Sequence, residues 1–190
     1  LNHRVIETKE VERTDYQSNT PNRCFFCKDE LYTNLKSIAS EYDFKWIANG
    51  TNTDDLVDFR PGLNAAKRHG VRSPLLEAEL SKSEVRTLSH NMDIPTWDKP
   101  SQACLSSRIP YGSPISNETL TRIAQAEEFI LSLGIKQTRV RHHDSVARIE
   151  IAPSDFHKLT EDSIHQSIAS YFRSIGYAYV ALDLEGFRSG

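Results

Sequence analysis

The chain has 190 residues, 38% of them hydrophobic and 26% charged, a globular composition sized for one ordinary domain or two small ones. Lys and Arg number 23 against 26 Asp and Glu, so the net charge of −3 leaves no basic surplus to grip a nucleic-acid backbone. No apolar run approaches the roughly 20 residues of a membrane span, and the opening Leu1-Asn2-His3-Arg4 has neither signal- nor transit-peptide character. With no initiating methionine, the chain is expected to be a fragment or a processed piece.

In chain order, Arg4-Val5-Ile6-Glu7 reads as a short strand, followed by a polar loop to Asn22. A helix is predicted from about Cys24 to Tyr42, with Leu31, Leu35, Ile38 and Tyr42 as its apolar stripe. Phe44–Ala48 reads as a buried strand ending at Asn49-Gly50, and the polar loop Thr51–Asp55 lies at its carboxyl end, where open α/β sheets bind ligands. Arg60-Pro61-Gly62 marks a turn, and Val71–Leu76 a further strand. Ser81-Lys82-Ser83-Glu84 is a capping box opening a helix whose stripe is Val85, Leu88 and Met92. Asp93-Ile94-Pro95 ends it. Helices alternating with short buried strands predict an α/β fold with a largely parallel sheet.

The pattern changes after Gly112-Ser113-Pro114, which sets an expected boundary between domains 1–112 and 113–190. Ser116 caps a helix running to Leu133, and Gly134 stops it. Alternating strands follow at Gln137–His142 and Val146–Ile151, with a tight turn near Asp144-Ser145. Then come a helical region from Ser154 to Ser174 and a last strand, Tyr177–Asp183. The order α-β-β-α-β describes a small α+β domain.

Three cysteines, Cys24, Cys27 and Cys104, are too few and odd for a secreted disulfide framework, which points to a reducing, cytoplasmic setting. Cys24 and Cys27 form a CxxC, the spacing that lets two thiolates share a metal or a cluster iron. Cys104 stands beside Ser106, Ser107 and Arg108 in the segment Pro100–Gly112. A guanidinium there supports a thiolate or forks onto a phosphate or carboxylate. Against this stands the plain reading of a buried small hydrophobe beside a surface arginine.

Strand period puts Arg139 and Arg141 on one face, opposite Val140, and Arg148 and Glu150 opposite Ala147, Ile149 and Ile151. If Val140 and Ile149 face the core, the other face carries three arginines and a glutamate. It is either a solvated outer face with weak ion pairs or an anion site. The Thr51–Asp55 loop is either turn chemistry or two carboxylates holding Mg²⁺ beside a nucleotide phosphate.

Several segments in order resemble one family: Asn22–Lys28, Gly50–Asp55, Arg60-Pro61-Gly62, Arg72-Ser73-Pro74-Leu75, Lys99–Arg108, Tyr111-Gly112, Arg139–His143 and Ala147–Glu150. Together they are similar to the LarE family of ATP-dependent sulfur transferases, which belongs to the PP-loop ATP pyrophosphatases. That resemblance implies a partial PP-loop domain, Rossmann-like with a parallel sheet, followed by the small α+β domain. The family's Ser-Gly-Gly-x-Asp-Ser loop is not in this sequence, so an N-terminally truncated member is expected and its ATP turnover is in question.

The resemblance implies adenylation of a carboxylate of pyridinium-3,5-biscarboxylic acid mononucleotide, with sulfur then displacing AMP to give a thiocarboxylate for the nickel-pincer nucleotide. It implies ATP, Mg²⁺ and, in the three-cysteine branch, which this chain matches better, a [4Fe-4S] cluster on Cys24, Cys27 and Cys104. In the other branch Cys104 gives up its own sulfur; a zinc or redox CxxC is a third reading. By the same resemblance Asn52 and Asp54 serve the nucleotide. Ser107, Arg108, Arg139, Arg141 and Glu150 serve the substrate, Glu128 serves a metal or the substrate, and His142 or His143 would complete a zinc site. A homo-oligomer is implied, with a nucleotide-like small molecule as partner and neither nucleic acid nor membrane. Rival readings are a non-enzymatic metal-binding or oligomerising fragment and an amide-forming synthetase of the same fold.

Overall fold

The computed structural model describes residues 3–57, 60–99 and 103–188. The fold is mixed α/β, with eight α-helices and one three-stranded sheet among the described residues. It divides into two compact units, Leu1–Gln102 and Ala103–Gly190. The segment from Ala103 to Gly112, expected with the first domain, therefore clusters with the second unit.

The first unit is helical: α1 (Thr14–Gln17), α2 (Arg23–Glu41), α3 (Pro61–Arg68), α4 (Pro74–Glu77) and α5 (Lys82–Asn91). Before α2 the chain turns at Asn19, whose φ of 49° is left-handed and which is fully buried. Arg23 donates to the Asn19 side-chain oxygen at 2.6 Å and fixes that turn. The core is small: Tyr32, Ala65 and Ala66, with Phe25, Leu35, Ile47 and Val71 packed against them. Asp29 of α2 joins three elements, accepting from His69 at 2.9 Å and pairing with Arg68 and Arg13. The His69 hydrogen bond, with those two guanidinium groups, holds the Asp29 carboxyl below its usual range.

The stripe of α2 departs from expectation, because the buried face centres on Tyr32 while Tyr42 is exposed. The strand expected at Phe44–Ala48 is reduced to one parallel bridge, Ala48 to Arg72. Phe44 and Trp46 stand 63% and 58% exposed. A strand becomes a buried element only with neighbours along both edges; among the described residues this segment has that single bridge. Arg4–Glu7 forms no strand, and the segment from Arg72 passes into α4. The Ser81–Glu84 capping box closes reciprocally as predicted, but Leu88 of α5 and Met92 just beyond its end are exposed.

In the second unit α6 (Asn117–Ser132) starts where Ser116 accepts the Thr119 amide at 3.1 Å, and it ends before Gly134, whose φ is 82°. β1 (Thr138–His143) pairs antiparallel with β2 (Val146–Ile151) across a turn at Asp144, φ 51°. The expected single helix is broken at extended Glu161 into α7 (Phe156–Thr160) and α8 (Asp162–Ser174). β3 (Tyr179–Leu182) joins β2 in parallel. Register sets Val140 opposite Ile149, and both are buried with Ala126, Ile130, Ile168 and Phe172. The opposite face carries Arg139 facing Glu150, and Arg141 facing Arg148.

Candidate functional site

The site lies within the second unit, on the sheet face away from the core. A 3-10 turn, Leu105–Arg108, carries the Cys104 segment to it, with Cys104 exposed at the start of the turn. Two arginines hold this turn. Arg141 donates to the Ser107 carbonyl at 2.8 Å. Arg108 donates to the carbonyls of Ala103 and Cys104 and to the Ser107 hydroxyl. The backbone beside the thiol is therefore tied to β1 rather than left as a free loop.

Arg108 is in turn anchored by Glu127 of α6, through bonds of 2.7 and 3.1 Å to the two carboxylate oxygens. Glu127 also accepts the Val140 amide at 2.9 Å. Sequence reasoning chose its neighbour Glu128, which faces solvent. The missed signal was helical phase: Glu127 lies four residues after Ile123 and three before Ile130, both buried, so it belongs to the inward face.

Glu150 is 2% exposed, and one of its oxygens accepts from Arg141 at 2.9 Å and Arg148 at 3.2 Å. Its other oxygen is buried with no hydrogen-bond partner. Arg148 also pairs with Asp183 at 3.4 Å. Arg139 differs from the other three. It is 8% exposed, lies over the Phe187 ring at 4.4 Å and donates to the Arg188 carbonyl at 2.8 Å. Among the described residues no carboxylate stands within ion-pair distance of it. Burial, then the charges of Arg108 and Arg141, push the Arg139 guanidinium below its ordinary value. Glu150 and Glu127 oppose that shift from a distance but make no contact pair with Arg139, and an anion would supply a closer counter-charge.

The structure thus brings Ser107, Arg108, Arg139, Arg141 and Glu150 into one neighbourhood with the Cys104 backbone. His142 turns to the core, its Nδ1 3.2 Å from the Tyr177 hydroxyl. Asn52 and Asp54 belong to the first unit, where they build local structure. The Asn52 side chain accepts the Asp54 amide, and Asp54 accepts the Lys82 amide at the start of α5 at 2.7 Å. Asp55 pairs with Arg60 at 2.6 Å and accepts the Asn52 amide. Both carboxylates of this loop are engaged by protein donors. Pro100, Ser101 and Gln102 of the cysteine motif lie outside the described residues.

Cys24 and Cys27 sit in the first turn of α2, exposed and half-exposed respectively. Thiolates suit iron or zinc, but among the described residues of either unit no three His, Cys, Asp or Glu side chains converge to hold a metal ion. No helix among the described residues is long and apolar enough to cross a membrane.

An exposed thiol, Cys104, and a cluster of guanidinium groups share the second unit. No family model matches the chain, but whole proteins do. It is 44% identical over 188 residues to the uncharacterized protein slr1717 of Synechocystis, covering 99% of this chain and 70% of that protein. It is 35% identical over 177 residues to pyridinium-3,5-bisthiocarboxylic acid mononucleotide synthase of Lactiplantibacillus plantarum, covering 92% of this chain and 62% of that one. It is 30% identical over 191 aligned positions to the uncharacterized protein MJ0830 of Methanocaldococcus jannaschii, covering 71% of it. The chain belongs to the LarE family.

Proposed function

We propose that this chain is the thiol- and phosphate-binding part of an ATP-dependent sulfur transferase that makes a thiocarboxylate on a pyridinium mononucleotide. The observation that carries the reading is buried Arg139, crowded by Arg108 and Arg141 and with no carboxylate within ion-pair distance among the described residues, on the same unit as exposed Cys104. The similarity to the Lactiplantibacillus synthase supplies the substrate class.

In this reading Arg139 and Arg141 take the substrate phosphate, and Ser107 and Arg108 stand beside it. The unpartnered Glu150 oxygen accepts a hydroxyl of the sugar. ATP activates the substrate carboxylate: the carboxylate oxygen attacks the α-phosphorus and pyrophosphate leaves. The Cys104 thiolate then attacks the acyl carbon and AMP leaves. Loss of the Cys104 α-proton breaks its Cβ–S bond, leaving dehydroalanine on the protein and sulfur on the product. The Arg108 and Arg141 bonds to the turn hold the thiol's backbone in place for that attack.

A second reading rests on the CxxC spacing. It puts a [4Fe-4S] cluster on Cys24, Cys27 and Cys104, and iron and acid-labile sulfide analysis of anaerobically purified protein tests it. The main reading is tested by titrating the pyridinium-3,5-biscarboxylic acid mononucleotide into wild type and Arg139→Ala. Affinity is expected to fall tenfold or more, as for loss of a charge-assisted bond of about 1.5–3 kcal/mol. Equal affinity would remove Arg139 from the site.

A further inference from the structure

We propose that Asp183 and Arg148 are positioning residues that make the anion site selective for a sugar phosphate: Asp183 draws Arg148 away from Glu150, whose unpartnered oxygen then takes a ligand hydroxyl. The inference rests on the reading of Arg139 as the phosphate ligand. Arg148 lies between two carboxylates and completes a hydrogen bond with one of them. Its Nη2 donates to Glu150 Oε1 at 3.2 Å, and its Nε is 3.4 Å from Asp183 Oδ2. The second contact lacks hydrogen-bond geometry, since the buried Nε has no hydrogen-bond partner. Glu150 Oε2 is the matching case, a buried acceptor without a donor.

Register pushes Arg148 toward Asp183. Arg141 stands directly opposite Arg148 on the hairpin, where like charges repel, and both donate to the same Glu150 oxygen. Arg141 has a second anchor in the Ser107 carbonyl at 2.8 Å, so Arg148 is the one able to leave. Asp183 is placed to receive it. It lies two residues beyond Ala181, the β3 partner of Arg148, so its side chain falls on the same face. Its amide donates to the Ile149 carbonyl at 2.9 Å, and its Oδ1 accepts the Glu185 amide at 3.0 Å. That leaves Oδ2 toward Arg148, with Arg188 farther off at 3.9 Å.

Charge pairing then becomes complete but for one group. Arg108 goes with Glu127, Arg141 with Glu150 and Arg148 with Asp183, and Arg139 is left for the ligand. Arg139 faces Glu150 across the hairpin, a pairing that sets the two Cβ atoms about 4.5–5.5 Å apart. A phosphate on Arg139 and a hydroxyl on Glu150 Oε2 therefore belong to one small molecule, and a sugar phosphate carries both. The hydroxyl relieves the cost of a buried acceptor without a donor and forms a charge-assisted bond. Arg148 drawn fully onto Asp183 opens the approach to that oxygen; Arg148 drawn fully onto Glu150 closes it.

The test titrates methyl β-D-ribofuranoside 5-phosphate and its 2,3-dideoxy analogue into the whole chain. Wild type should bind the diol about tenfold more tightly, as for one hydrogen bond to a charged group. Asp183→Asn keeps an oxygen for the Glu185 amide but offers Arg148 no charge. Its preference for the diol should fall to unity, with affinity for the dideoxy analogue no lower than in wild type. Removing Arg148 as well, in the Asp183→Asn, Arg148→Ala double variant, should restore the preference. A merely structural role of Asp183 gives no such recovery. The proposal is overturned if wild type shows no preference, if Asp183→Asn keeps it, or if the double variant fails to regain it. In each of those outcomes the dideoxy analogue still binds and the reading of Arg139 stands; a wild type that binds neither compound overturns both.

Discussion

Glu127 grips the Arg108 guanidinium with both carboxylate oxygens while the same group accepts the Val140 amide. One side chain of α6 thereby joins the helix, the strand β1 at core-facing Val140, and the turn that carries Cys104. Arg108 is 5% exposed and Glu127 is its ion-pair partner at 2.7 Å. Glu127→Gln is expected to lower unfolding stability by about 3 kcal/mol, in the manner of breaking one side of a buried pair. Glu128→Gln, one residue on and facing solvent, should leave the urea midpoint unchanged.

Gly186 sets the position of the ring beneath Arg139. Its φ is 73°, and a Cβ there would lie 2.7 Å from the Ile151 carbonyl oxygen and 2.9 Å from Pro153. The next amide, Phe187, donates to that same carbonyl at 2.8 Å. Gly186→Ala is expected to cost about 1–3 kcal/mol from the strained backbone alone. It should also loosen Phe187 and weaken phosphate binding, read by titrating inorganic phosphate into the variant and wild type. A variant that loses stability yet binds phosphate as wild type would separate Phe187 from the anion site.

His142 sets a pH limit on the second unit. Burial, then the charge of Arg122, lowers its pKa from the ordinary 6.5. Above about pH 6.5 folded and unfolded chains both carry a neutral ring, and the full stability is present. As pH falls below that value the unfolded chain takes up the proton and the folded chain does not. Stability therefore drops on acidification, by at most about 1.4 kcal/mol per pH unit from this one group. Urea midpoints at pH 7.5 and 5.5 should show the fall, and His142→Gln should make it shallower.

Much of the second unit was legible in the sequence because local signals and tertiary packing agree there. The Ser116 cap, Gly134 stop, and alternation of Val140 and Ile149 against Arg139 and Arg148 all match the observed elements. The charged sheet face followed from that alternation alone. Which arginine lacks a carboxylate did not, because it depends on how Glu127 and Glu150 reach from their elements. Phe187 also escaped notice, since no periodicity marks a segment placed by one glycine turn. In the first unit, apolar composition predicted strands at Phe44–Ala48 and Val71–Leu76. A strand is defined by partners that composition cannot supply, and one bridge is what forms. Likewise the paired carboxylates Asp54 and Asp55 suggested a metal, whereas the fold sets them against the amides and the guanidinium that cap α5 and the loop.

The most direct measurement is the mass of the Cys104 peptide after incubation with ATP, Mg²⁺ and the pyridinium-3,5-biscarboxylic acid mononucleotide. If Cys104 is the sulfur donor, each thiocarboxylate formed is matched by one Cys104 that has lost H₂S. Thiocarboxylate accumulating while the Cys104 peptide keeps its full mass would contradict it.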